Sequence, residues 1–265
     1  QKAVTITVAN QSTTYPTAKT YTFTSDGDGT FTASSSDTNT ATVSISGKTL
    51  TLTPVKTGSV TITVTHTAKT SGGNYKTGTE TFTFTVNAGT ITASVSNKTA
   101  DYTGSEISPN TVSVTEPSSG ATVKYGTASG TYNLTSPTKY TNAGTYTIYY
   151  QVTATNYTTK TGSYTLTINK VDPTHVVSGN SLTYTGSAQT LGTVTTNGGA
   201  VTYCATSGGT YSSTCPTQTN AGTYTTYYKI AESTNYKAYS GNFSTTIAQK
   251  AVTITVANQS TTYPT

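Results

Sequence analysis

An all-β fold divided into several thin sandwiches is predicted by three observations: a strong bias toward threonine and tyrosine, two-residue alternation of apolar and polar positions, and an internal repeat at two periods. Composition sets the class. The chain has 265 residues, of which 72 are Thr, 29 Ser and 21 Tyr, with no Trp, Met or Arg. β-Branched and aromatic side chains suit a pleated, half-buried surface, and good helix formers are scarce. Hydrophobic residues amount to 32%, low for one deep core, so several small ones are expected. Disordered chains share that low figure but lack the aromatic and β-branched residues abundant here.

The alternation places the strands. Val60, Ile62 and Val64 alternate with Thr61, Thr63 and Thr65, and Phe82, Phe84 and Val86 alternate with Thr81, Thr83 and Thr85. Such stretches have one apolar and one wet face. Val43 and Ile45, then Leu50 and Leu52, flank Ser46-Gly47-Lys48, which predicts a hairpin with glycine in the turn. About seven short strands per 80 residues, with turns every 8 to 12, fit a Greek-key sandwich.

The longer repeat is identical: Gln1 to Thr17 and Gln249 to Thr265 both read QKAVTITVANQSTTYPT, a period of 248. This predicts a parent with successive copies of a 248-residue unit, residues 249–265 being the first strand of the next copy. The shorter repeat is looser. Tyr102-Thr103-Gly104-Ser105 recurs as Tyr184-Thr185-Gly186-Ser187, and Asn142-Ala143-Gly144-Thr145-Tyr146 as Asn220-Ala221-Gly222-Thr223-Tyr224. Val123-Lys124-Tyr125 matches Val201-Thr202-Tyr203, and Thr155-Asn156-Tyr157 matches Thr234-Asn235-Tyr236. Domains are therefore expected over 1–88, 89–170 and 171–248. No linker of any length separates them, so an extended, stiff rod is expected.

These motifs resemble known families. Ser35 to Val43, Gly47-Lys48 and Thr57 to Val64 make residues 18–88 similar to a bacterial immunoglobulin-like domain of group 2. Tyr-Thr-Gly and Asn-Ala-Gly-Thr-Tyr make residues 89–170 and 171–248 similar to the MBG-type immunoglobulin-like repeats of large bacterial surface proteins. The resemblance implies three tandem immunoglobulin-like Greek-key sandwiches, a cell-surface or secreted location, and no catalytic residues.

Candidate site residues are few. The Asn-Ala-Gly turn delivers Tyr146 and Tyr224 to the start of a late strand, where a phenol bonds backbone as in the tyrosine corner of sandwich domains, with ligand stacking the alternative. Tyr149 and Tyr227 fall on the outward face, where rings suit sugars or cross-strand packing. Cys204 and Cys215 flank the loop Ala205 to Thr214, and the preceding repeat has Gly126 and Ser136 there. A Cys204–Cys215 disulfide is expected, worth about 2–3 kcal/mol and implying an oxidising compartment; two unrelated buried thiols are the alternative. His66 and His175 read as exposed junction residues, and Asp26-Gly27-Asp28 as a β-turn without the further carboxylates of a calcium loop. No metal or cofactor is assigned.

These features rank the function classes. A Ser/His/Asp set, paired carboxylates and a phosphate loop are all missing, which argues against an enzyme. Fourteen Lys without Arg give a net charge of +5 with no cationic run, which argues against nucleic acid. No apolar run of membrane-spanning length occurs. What remains is the structural unit of an extracellular stalk, adhesin shaft or fibre. Its expected partners are adjacent copies of itself, with edge strands offering a route to lateral contact between fibres. The alternative is a module binding cell-surface glycans.

Overall fold

The computed structural model describes residues 1–263; Pro264 and Thr265, the last two residues of the expected next-copy strand, lie outside the described residues. Among the described residues the regular elements are all strands. The chain gathers into two compact bodies: Gln1–Asn97 with Pro109–Thr138 and Thr147–Thr165, and Lys98–Ser108 with Lys139–Tyr146 and Leu166–Thr265. The division falls within the middle repeat, whose strands Gly144–Thr153 and Lys160–Asn169 run through both.

In the first body, the first repeat forms a two-layer sandwich. One sheet has four strands in the order Gln11–Thr14, Gly78–Asn87, Gly58–Thr67, Thr30–Ser35; the other has Lys19–Thr22, Thr49–Pro54 and Ala41–Ser46. The predicted hairpin is present: Ser46 pairs with Thr49, and Gly47 takes a φ of 61°, which a glycine adopts without Cβ strain. Leu50 and Leu52 of one sheet and Ile62, Val64 and Phe84 of the other are fully buried in one core. Alternation explains it, since each strand sends every second side chain inward. The same body contains the antiparallel pairing of Thr122–Gly126 with the Tyr149–Thr153 end of its neighbour.

In the second body, the third repeat repeats the four-stranded order: Ser181–Thr183, Tyr239–Ala248, Gly222–Ile230, Val201–Cys204. Its facing layer is thinner, with His175–Gly179 on Gly192–Thr196 and Gln189–Thr190 on Thr217–Gln218. The core beneath holds Leu191, Val194, Tyr203, Tyr228, Ile230 and Ile247. Tyrosine serves as a core residue because its hydroxyl is satisfied: Val194 N–H donates to Tyr203 Oη at 3.0 Å. The matched Tyr125 accepts from Val112 N–H at 2.9 Å.

Each repeat is closed in the same way, by a short segment added in parallel to its last strand. Gln11–Thr14 lies on Phe84–Asn87, Lys98–Asp101 on Leu166–Asn169, and Ser181–Thr183 on Thr246–Ala248. The Tyr that follows each segment donates its N–H to the end of that last strand: Tyr15 to Asn87 O, Tyr102 to Asn169 O and Tyr184 to Ala248 O, at 2.9, 3.0 and 2.9 Å.

In this structure residues 1–17 and the matching residues 249–263 differ in conformation. Ile6 is buried and Gln11–Thr14 is paired, whereas residues 249–263 contain no strand and Val252, Ile254 and Val256 are at least 80% exposed. The reason is the partners. Ile6–Thr7 pairs with Thr24–Ser25, and Gln11–Thr14 with Phe84–Asn87, whereas residues 249–263 pair with no strand among the described residues. Amide hydrogen exchange should therefore be slow at Thr13 and Tyr15, whose N–H groups face the closing strand, and close to the unstructured rate at Thr261 and Tyr263. Equal protection at the two copies would contradict this dependence on partners.

Candidate functional site

A turn ending in Asn-Tyr precedes the last strand of each repeat, and its asparagine backbone receives the opening residue of the same repeat. Lys2 N–H donates to Asn74 O at 2.7 Å, Gly89 N–H to Asn156 O at 2.9 Å, and Val171 N–H to Asn235 O at 3.1 Å. The bridges Lys2 to Tyr75 and Val171 to Tyr236, and the short parallel pair of Gly89–Thr90 with Tyr157–Thr158, put all three turns in one register.

Two of these turns also hold the preceding repeat. In the first body, Asn156 Oδ1 accepts from Thr57 N–H at 3.1 Å and its Nδ2 donates to Val55 O at 3.3 Å. The ring of Tyr157 stands edge-on to that of Tyr15, with centroids 5.5 Å apart. In the second body, Asn235 Oδ1 accepts from Ala143 N–H at 2.8 Å, and its Nδ2 donates to Asn142 Oδ1 at 3.1 Å. Tyr236 stands edge-on to Tyr102 at 5.6 Å. One amide side chain thus satisfies the backbone of an adjoining turn, and one ring covers the tyrosine that ends the closing segment. Asn156 has a φ of 67°, a conformation asparagine tolerates better than other side-chain-bearing residues. The Tyr157 phenol donates to Glu116, a bond that pushes its pKa up to about 12.

The sequence-predicted tyrosines shape the turns that these asparagines grip. Tyr146 Oη donates to Asn142 O at 2.8 Å, and Tyr224 Oη to Asn220 O at 2.9 Å. The rings fold back over Gly144 and Gly222, where an added Cβ would stand 3.2–3.4 Å from the phenol. In the Asn-Ala-Gly-Thr-Tyr motif the glycine makes room and the tyrosine fixes the carbonyl, leaving the alanine N–H facing outward. Tyr149 and Tyr227 are half-buried on the face opposite the core, paired with Gly126 and Cys204.

The expected Cys204–Cys215 disulfide is not formed; both thiols are free and buried. Alternation gives the reason. Tyr203 pairs with Tyr228 on the core face, so Cys204, next along the strand, points to the other face beneath the loop at Gly209, while Cys215 enters the core with Leu191 and Tyr203. The Cys204 thiol donates instead to Thr206 O at 3.1 Å, and burial raises the Cys215 thiol pKa.

His66 is also corrected: it is fully buried rather than an exposed junction residue. It continues the series Val60, Ile62, Val64, and that period was the available signal. Gly29 N–H donates to Nε2 at 2.8 Å, and Nδ1 lies 3.1 Å from Lys76 O, which fixes the Nδ1–H tautomer. Beside it, Asp26 Oδ1 accepts from Thr5 N–H at 2.7 Å and Asp28 Oδ2 from Asn74 N–H at 2.9 Å. These backbone donors hold both carboxyls below the usual range. Groups lowered in this way contribute at neutral pH and lose their hold as pH falls through the lowered value. Among the described residues, no cluster of three or more His, Cys, Asp or Glu is placed to hold a metal, and no helix is long and apolar enough to cross a membrane.

Two measurements check this geometry. Asn156→Ala loses the side-chain bonds and strains the left-handed backbone, so urea unfolding should show a loss of about 2 kcal/mol, with Asn156→Gly losing about 1; unchanged midpoints would refute the hold. Alkylation without reductant should add two labels after denaturation and few before it, whereas an unlabelled denatured chain would contradict two free thiols.

With the geometry established, comparison with known proteins identifies one segment. Residues 2–77 match the model of the bacterial Ig-like domain (group 2). Similar solved structures include a mutated variant of a three-Ig fragment of titin, at 10% identity and TM-score 0.34, covering 95% of this chain and 100% of that one. Domains 1–4 of Sidekick-1 give 9%, 0.30, 94% and 76%, and the human Desmocollin-1 ectodomain 11%, 0.32, 94% and 62%. No curated protein matches the chain. The first repeat is similar to group 2 bacterial Ig-like domains, and the first and third repeats are each built as an all-β sandwich with the same four-stranded order.

Proposed function

We propose that this chain is the structural repeat unit of an extracellular surface stalk or fibre, acting as a stiff spacer rather than as an enzyme. Its modules are 1–88, 89–170 and 171–248, the second and third of MBG type, and residues 249–265 open the next copy. One observation carries the proposal: the opening backbone of a repeat is bonded to an Asn-Tyr turn whose asparagine also bonds the repeat before it. A junction built this way has no free linker, and restricting each junction stiffens a tandem array. The 248-residue recurrence supplies the second requirement, a next copy to continue into.

The cell-surface location rests on the likeness of residues 2–77 to bacterial Ig-like domains; with both thiols free, the cysteines give it no support. Half-burial of Tyr149 and Tyr227 leaves little ring face for stacking a sugar, so the shaft is preferred to the glycan-binding module. Small-angle scattering on one copy and on two copies in series tests the shaft: the maximum dimension should roughly double. A compact two-copy particle would refute the spacer.

A further inference from the structure

The third repeat carries the same receiving surface as the other two, and among the described residues nothing of the Asn-Tyr kind covers it. In the first repeat, the surface consists of Tyr15 and the turn Val55 to Thr57; in the second, of Tyr102 and the turn Asn142-Ala143. The corresponding residues of the third are Tyr184 and Asn220-Ala221. The match extends to backbone: a positive-φ glycine follows each turn, Gly58 at 146°, Gly144 at 157° and Gly222 at 158°. Tyr224 fixes Asn220 O as Tyr146 fixes Asn142 O.

What differs is exposure. Tyr15, Tyr102, Thr57 and Ala143 are all half-buried, whereas Tyr184 and Ala221 are exposed, Tyr184 at 38%. The Ala221 N–H, the counterpart of the donor that Asn235 captures at Ala143, has no acceptor among the described residues. A cleft lined by Tyr184, Asn220, Ala221, Gln249, Lys250 and Val252 opens there. Lys250 is the counterpart of Lys2, the residue that bonds Asn74.

The first repeat supplies the matching turn. Asn74-Tyr75 has the register of Asn156-Tyr157 and Asn235-Tyr236, and Asp28 anchors its backbone. The Asn74 side chain is exposed and makes no hydrogen bond among the described residues, and the Tyr75 ring lies under the Lys2 ammonium at 5.7 Å.

We propose that Tyr184 and Asn220-Ala221 form a socket for the Asn74-Tyr75 turn of a second copy of this chain, the copy whose opening strand begins at Gln249. Asn74 Oδ1 of that copy accepts from Ala221 N–H, and its Tyr75 ring stands edge-on to Tyr184. The surface fits this occupant because the same two side chains, in the same register, occupy both equivalent surfaces within the chain. The proposal rests on copies following one another in series, as the shaft requires.

The test is a chain of residues 1–248 followed directly by a second 1–265, read by amide exchange. Ala221 of the first copy should exchange about tenfold more slowly than Ala221 of the second, the gain of one part-buried hydrogen bond. Asn74→Ala in the second copy alone should abolish the difference, and Asn74→Asp, which keeps an acceptor, should restore most of it. Unchanged protection at Leu52 of the second copy establishes that the variants fold. Equal exchange at the two Ala221 positions, or a difference that survives Asn74→Ala, overturns the socket. Scattering on the same samples separates the two proposals, because an elongated chain with an unprotected Ala221 leaves the spacer standing and removes only the socket.

Discussion

The structure depends on a short parallel pairing, three or four residues long, between the segment that opens each repeat and the strand that closes it. A sandwich this poor in apolar residues buries little surface, and an unpaired edge beside its last strand would leave backbone groups exposed. Adding the opening segment there satisfies them. It also places the start and end of each repeat side by side, with the Asn-Tyr turn next to the incoming chain. The junction bonds are a consequence of how each sandwich closes.

The tyrosines show how a Thr-rich sequence builds a core without many aliphatic residues. Tyr125, Tyr150, Tyr203 and Tyr228 are buried. Their bulk replaces aliphatic volume, and bonds such as Val194 N–H to Tyr203 Oη remove the cost of burying a hydroxyl. Other tyrosines work at the surface: Tyr146 and Tyr224 hold turns, and Tyr157 and Tyr236 cover a neighbouring ring. Position in the pleat separates the two classes, since adjacent residues such as Tyr149 and Tyr150 face opposite sides.

The free cysteines obey the same rule. Eleven positions apart and flanking a loop, Cys204 and Cys215 look like a natural pair in one dimension. In the fold, Cys204 sits on the outer face of its strand, while Cys215, in the loop before Thr217, enters the core. His66 is the converse case, a polar residue in an inward position made tolerable by a backbone donor and a backbone acceptor.

Periodicity and repetition are local properties, and the features that rest on them were determined by the sequence alone: the all-β class, the strands around Ile62 and Phe84, the Gly47 hairpin, and the recurrence of Asn-Ala-Gly-Thr-Tyr and Thr-Asn-Tyr. The tertiary structure decided what depends on partners distant in the chain. It gave Asn156 and Asn235 their second contact, about a hundred residues away. It also brought Asn74-Tyr75 into the same class, although that turn lacks the preceding threonine. The clearest demonstration is the peptide present twice: residues 1–17 and 249–265 are identical, yet among the described residues only the first copy is paired with other strands. A β-strand is defined by hydrogen bonds to another strand, so its sequence can state a preference while only its neighbours can fulfil it.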